Sequence, residues 1–240
     1  MNYALIFAGG AGMRINSLSK PKQFLELNGK EIIIHTLEHF ETHPEIDRIC
    51  VVCIEGWINH LYNQIEKYWI KKVSWIVPGG DTGHLSIKNG LRTILADSRS
   101  PSEDIVLIHD GVRPMIDAQL ISDNIACVKE NGSAITVTPV TETVTITSGG
   151  KIENIIERQG CKHAKAPQSF RLADIMDAHN KAECDGKHDF IDSATLMHQY
   201  GYRLHEVEGP LENIKITTPS DFYMFRAICE AKENSQIFGI

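Results

Sequence analysis

The stretch Tyr3-Ala-Leu-Ile-Phe-Ala-Gly-Gly-Ala-Gly-Met-Arg14 decides the fold. Its first half is short, continuous and apolar, the pattern of a strand covered on both faces. Its second half is glycine-rich, so the chain turns there with the backbone free to approach a ligand closely. A covered strand that opens into such a loop belongs to a parallel sheet flanked by helices. The sequence downstream keeps that rhythm, with apolar runs at 49–54, 73–77, 104–109 and 134–140. Helical spacing fills the gaps at 32–40, 58–70, 86–95 and 118–129, as in strand–helix–strand units.

After residue 140 the alternation breaks. Two β-rich segments, 143–147 and 151–156, flank Ser148-Gly149-Gly150, which predicts a hairpin arm over about 141–158. A lone hairpin is marginally stable in water, so a second subunit is its expected support. Helices near 172–181 and 193–200, a strand near 204–208 and a helix from about 220 complete the chain. With no repeat, low-complexity tract or linker, residues 1–240 read as one α/β domain with a Rossmann-like, mostly parallel sheet.

Composition narrows the function. A formal net charge of -7 argues against a nucleic-acid partner, which requires a basic surface. No run reaches the roughly 20 apolar residues that cross a bilayer, and Met1 to Gly10 reads as a strand rather than a leader. The six cysteines show no disulfide rhythm, so reduced thiols in the cytoplasm are expected. Cys50 and Cys53 fall in one strand, three apart, and point to opposite faces, which suits packing and not a shared metal.

The glycine loop carries the chemistry. Lys20-Pro-Lys-Gln-Phe24 follows it closely, so Arg14 and Lys22 can place positive charge on a phosphate chain held by loop amides. A dinucleotide fingerprint would need a small residue where Ile15 stands, and the Gly-Lys-Ser/Thr of a P-loop is absent. Gly-Gly-x-Gly-x-Arg followed by Pro-Lys resembles the nucleotidyltransferases that activate sugar phosphates. More narrowly, the chain looks like the cytidylyltransferases acting on methylerythritol 4-phosphate or ribitol 5-phosphate. The resemblance continues through Gly79-Gly-Asp81 with Ser86, His109-Asp-Gly-Val-Arg-Pro114, Glu157-Arg158, Ala166-Pro-Gln168, Asp192-Ser-Ala194 and Asn213-Ile-Lys-Ile-Thr217.

The resemblance implies a division of labour. Ala8, Gly9, Gly10, Ala11 and Gly12 would line CTP, with Arg14, Lys22 and Lys215 as the catalytic cations on its phosphates. Gly80, Asp81 and Ser86 would surround the cytosine and ribose. Asp110 would lie at the acceptor and Mg²⁺ side, with the ion held mainly by the CTP phosphates. Arg113, Thr143 and Arg158 would contact the acceptor phosphate, the last two from the arm of a partner subunit in a homodimer. Two positions depart from the pattern: Gly83-His84 stand where an arginine is usual, and Ala166 where threonine often precedes Pro-Gln.

The reaction so implied moves CMP from CTP to a polyol phosphate and releases pyrophosphate. Its nucleophile is already a dianion near neutral pH, so no general base is required. Charge neutralisation and in-line positioning are what the protein must supply.

Other features read as structural. His35, His39 and His43 share a helix face without a carboxylate or thiol at ligand spacing. His109 faces the core or orients a loop, and one of Asp189 and Asp192 caps the next helix. Trp57, in Glu55-Gly-Trp-Ile-Asn59, is similar to the ribitol-phosphate branch, which makes D-ribitol 5-phosphate the expected acceptor. Methylerythritol 4-phosphate is the alternative. More distant readings are a UTP- or GTP-dependent relative and a nucleotide-binding regulator without turnover.

Overall fold

The computed structural model describes residues 1–10 and 20–238, with side chains through residue 235. In chain order the strands are β1 (Asn2–Ala8), β2 (Glu26–Leu27), β3 (Lys30–Glu31), β4 (Arg48–Cys53), β5 (Val73–Pro78), β6 (Ile105–Asp110), β7 (Ser133–Pro139), β8 (Val144–Ser148), β9 (Lys151–Ile156), β10 (Lys162–Arg171) and β11 (Glu206–Glu208). The helices are α1 (Ile32–Thr42), α2 (Ile58–Lys67), α3 (Gly83–Asp97), α4 (Ala118–Asn131), α5 (Leu172–Cys184), α6 (Ser193–Gln199) and α7 (Pro219–Phe238).

Seven strands form the central sheet in the order β11-β7-β10-β6-β1-β4-β5. β1 pairs in parallel with β4 on one side and β6 on the other, and β4 with β5. β10 alone runs antiparallel, between β6 and β7. Its register shifts between Ala164 and Gln168, and Pro167 lies in that irregular stretch, where a missing N–H breaks no regular ladder bond. Only His163-Ala-Lys-Ala166 alternates in 162–171, with alanine as its apolar residue and a proline next, so this strand was not expected from the sequence.

β1 reads as it folds: Tyr3, Ala4, Leu5 and Ile6 are fully buried. Its side chains alternate between two cores, Ala4, Ile6 and Ala8 with α1 and α4 on one face, Tyr3 and Leu5 with α3 and α5 on the other. Cys53 joins the first core and Cys50 the second, as their spacing requires. The expected arm is present as the separate antiparallel pair β8–β9.

Because β4 and β5 extend the sheet to one side of β1 and β6 lies on the other, the order reverses at β1. Ligands of open α/β sheets bind at that point, beyond the carboxyl ends of the strands.

Candidate active site

β1 and β6 deliver their C-terminal residues side by side, with Phe7 opposite Asp110 in register. The Gly111 amide donates to the Phe7 carbonyl at 2.9 Å. A Cβ on Gly111 would stand 3.2 Å from the Ala8 Cβ and 3.3 Å from the Phe7 oxygen, so a side chain there would force the two strand ends apart.

On the β1 side the structure places Ala8, Gly9 and Gly10. Gln23, buried in the 3-10 turn Lys22–Phe24, donates its amide to the Ala8 carbonyl at 2.7 Å. Gly79 and Gly80 approach from the end of β5; a Cβ on Gly79 would lie 3.6 Å from the Gly9 Cα and 3.1 Å from the Ser86 Oγ. The Ser86 hydroxyl accepts from the Gly80 amide at 2.9 Å and lies 2.8 Å from the Thr82 carbonyl. In this structure, then, Ser86 fixes the turn, and the exposed backbone around Gly80 and Asp81 is what a base could meet. Thr82 caps α3 by accepting from the Leu85 amide at 3.1 Å. Ala11, Gly12 and Arg14 lie outside the described residues. Lys22 is described, half-buried beside Gln23.

On the β6 side the groups are ionic. Lys215 Nζ meets Asp110 Oδ1 at 2.7 Å, and Arg113 Nε meets Oδ2 at 2.8 Å. Burial alone would raise the Asp110 pKa. Lys215 and then Arg113 outweigh it and hold the carboxyl far below the usual carboxylate range. Arg113 also donates to the Asn213 carbonyl at 2.9 Å, and Asn213 donates its amide to the Ala166 carbonyl at 2.6 Å. His109 is a structural partner: its Nε2 lies 3.0 Å from the Arg113 carbonyl. Burial pushes its pKa down to about 4, leaving it neutral near pH 7.

A cavity of about 270 Å³ opens on this cluster. Asp110, Arg113 and Lys215 line it, together with three residues the sequence did not single out as binding groups: Lys165, Gln168 and His179. Gln168 was visible only as part of Ala166-Pro-Gln168. Its amide nitrogen donates to Asp192 at 3.0 Å and its oxygen accepts from the Ala194 amide at 2.9 Å. Asp192 is the cap of α6, accepting from the Thr195 amide at 2.8 Å. Gly83, at the start of α3, lines the cavity where the family pattern has arginine. His84, buried, lines it too, its ring 4.4 Å from His179 and 5.3 Å from Phe190.

Thr143 and Arg158 do not line this cavity. Both are exposed on the arm, where Arg158 donates to the Thr141 carbonyl at 2.8 Å. Ile146, Ile152 and Ile155 are also exposed there. The histidines of α1 are satisfied structurally, His35 by the Leu27 carbonyl, His39 by Pro114 and His43 by Ala118. No cluster of three metal-ligating side chains occurs among the described residues.

With this geometry in place the comparisons with known proteins are decisive. The family profile described as IspD, 2-C-methyl-D-erythritol 4-phosphate cytidylyltransferase, matches residues 3–231. The chain belongs to the IspD family. Within it, the chain is 49% identical to a ribitol-5-phosphate cytidylyltransferase of Vibrio parahaemolyticus, over the whole of both chains. It is 48% identical to one from Streptococcus agalactiae serotype III, again over both whole chains. A 2-C-methyl-D-erythritol 4-phosphate cytidylyltransferase of Bacillus licheniformis is 36% identical over 98% of this chain and 99% of its own. Among solved structures, the Francisella tularensis 2-C-methyl-D-erythritol 4-phosphate cytidylyltransferase superposes with a TM-score of 0.77 at 28% identity, covering 96% of this chain and all of that one. The Rossmann-like, mostly parallel α/β sheet expected from the sequence is therefore the one found.

Proposed function

We propose that this chain is a cytidylyltransferase that transfers CMP from CTP to D-ribitol 5-phosphate, forming CDP-ribitol and releasing pyrophosphate. The observation that carries it is the convergence, on adjoining strand ends, of the Ala8–Gly10 backbone and the Asp110–Lys215–Arg113 ion cluster. Three cations, Arg113, Lys165 and Lys215, face the cavity against the carboxylates of Asp110 and Asp192. This gives an acidic protein a locally cationic pocket suited to a phosphate monoester.

An oxygen of that phosphate attacks the α-phosphorus of CTP; the bond to the β-phosphate breaks and the electron pair leaves with pyrophosphate. The loop backbone at Gly9 and Gly10, with Lys22 and Arg14, is assigned to the triphosphate. Lys215, whose side chain is 40% exposed, reaches phosphate from its resting place on Asp110. Arg113, Thr143 and Arg158 are assigned to the acceptor phosphate, the last two through a partner subunit's cavity in a homodimer. The exposed isoleucines of the arm support that assembly. Mg²⁺ fits as an ion carried chiefly by the CTP phosphates, because of the two carboxylates that line the cavity among the described residues, Asp192 caps α6 and Asp110 is paired with Lys215 and Arg113. When bound it would neutralise charge between the phosphates. Six free cysteines, two of them fully buried, suit a cytoplasmic enzyme.

The acceptor is assigned from the ribitol-5-phosphate cytidylyltransferase names at 48–49% identity, against 36% for the methylerythritol enzyme. The test is pyrophosphate release with Mg²⁺, each of the four nucleoside triphosphates and either polyol phosphate. Turnover with CTP and ribitol 5-phosphate is expected. Preference for methylerythritol 4-phosphate would reassign the acceptor, and no turnover with either would remove the catalytic reading.

A further inference from the structure

Trp57, outside the Asp110 cavity and half-buried, lies flat on Phe24, with ring centroids 4.8 Å apart and planes 15° from parallel. Phe24 ends the 3-10 turn that begins at Lys22 and is fully buried. His60, one helical turn into α2, meets both rings edge-on, at 5.1 Å from Phe24 and 5.0 Å from Trp57. Its Nε2 lies 2.8 Å from Glu31 Oε1. Lys20 Nζ lies 2.9 Å from that same oxygen and 2.8 Å from Glu26 Oε1.

The segment Lys20–Phe24 is therefore held at both ends from the α2 side. Lys20 is fixed electrostatically by the buried Glu31, and Phe24 by a two-ring wedge whose histidine bonds to the same carboxylate. Between these anchors, Gln23 ties the turn to the Ala8 carbonyl at 2.7 Å. Lys22 opens the turn between these anchors, next in the chain to Gln23. Neither Trp57, His60 nor Glu31 lines the cavity that holds Asp110.

We infer that Trp57, with His60 and Glu31, is a set of positioning residues that fixes Lys22 for the α-phosphate of CTP; this rests on the assignment of Lys22 to the triphosphate above. The physical reason is leverage. A lysine on an unbraced turn samples many rotamers, whereas clamping its backbone on both sides confines the ammonium, and misplacement by about 1 Å can cost on the order of 100-fold in rate.

The test is a double-mutant cycle on the full chain, reading kcat and KM for CTP and for the polyol phosphate, with circular dichroism to confirm folding. Trp57→Ala is expected to lower kcat by ~10- to 100-fold with little change in KM for the polyol phosphate. Trp57→Phe, which keeps a ring on Phe24, is expected to restore most of it. In a Lys22→Ala background, Trp57→Ala should then add no further loss, because a residue acting through another has nothing left to position. Equal losses in the two backgrounds would assign Trp57 a general structural role and overturn the inference. If Lys22→Ala itself turned over normally, the assignment of Lys22 would fall, and the inference with it. Should Trp57→Ala not fold, Glu31→Gln carries the same cycle from the other anchor.

Discussion

The two sides of β1, assigned above to two phosphate-bearing substrates, are built from different materials. Toward β5 the surface is main chain: Gly9, Gly79 and Gly80 lie against one another, and the hydroxyl of Ser86 stitches the turn. Toward β6 it is side chain: a carboxylate gripped by a lysine and an arginine, one of which reaches on to Asn213. A backbone surface discriminates by shape and tolerates no added bulk. A surface of ion pairs discriminates by charge and can exchange partners when a phosphate arrives. The protein places the first where the nucleotide is assigned and the second where the acceptor is assigned.

Charge removal should strike hardest. Asp110→Asn leaves Arg113 and Lys215 without their shared anion, and kcat is expected to fall on the order of 100-fold or more, measured by pyrophosphate release. A fall confined to KM for CTP would instead put Asp110 on the nucleotide side. Bulk on the backbone side should matter next. A Cβ at Gly80 would come within 2.9 Å of the Leu85 Cβ, too close for a real contact. Gly80→Val should therefore raise KM for CTP and lower stability by about 1–3 kcal/mol, while KM for the polyol phosphate stays near that of the parent; the opposite pattern would erase the distinction between the two sides.

The smallest effect concerns stability alone. His179 is buried with neither ring nitrogen hydrogen-bonded, and burial pushes its pKa down to about 3, with the neighbouring His84 and Lys88 adding to the shift. The unfolded chain protonates this histidine at about pH 6.5, the folded one only near 3. The unfolded state thus binds the extra proton between those values, so stability falls as pH drops through that window. His179→Gln should flatten the acid limb of a Tm-against-pH curve without altering it near pH 8. His109, whose pKa burial lowers to about 4, supplies a parallel slope that the substitution leaves in place.

The same contrast explains what could be read in advance. Most of the β1 side is contiguous: strand, glycines and Lys20-Pro-Lys22 lie within two dozen residues, and Gly79-Gly80 with Ser86 form a second short motif. The β6 side assembles positions 110, 113, 165, 168, 179 and 215 from four stretches of chain. Of these, Asp110, Arg113 and Lys215 were found only through resemblance, and Lys165 and His179 not at all. Their chemistry is set by neighbours distant in sequence. β10 was missed for a related reason. Lys162-His-Ala-Lys-Ala-Pro-Gln168 has only a short alternation built on alanine and no β-branched residues, and proline argues against a central strand. What makes it a strand is tertiary: two sheet edges, β6 and β7, that no other segment among the described residues joins. The Asn28-Gly29 turn between β2 and β3 was not singled out from the sequence, although both residues adopt the positive φ that such a hairpin turn requires.

That late antiparallel insertion also bears on how the molecule is made. β7 precedes β10 in the chain but meets the rest of the central sheet, β11 aside, only through it. A chain emerging from the ribosome can pair β1 with β4 and β6, and β4 with β5, while β7 still waits for its neighbour. Lys215 emerges later still. The backbone side assigned to CTP is thus a product of early synthesis and the ionic side assigned to the acceptor one of its last stages, so on this assignment an unfinished chain has no means of spending CTP.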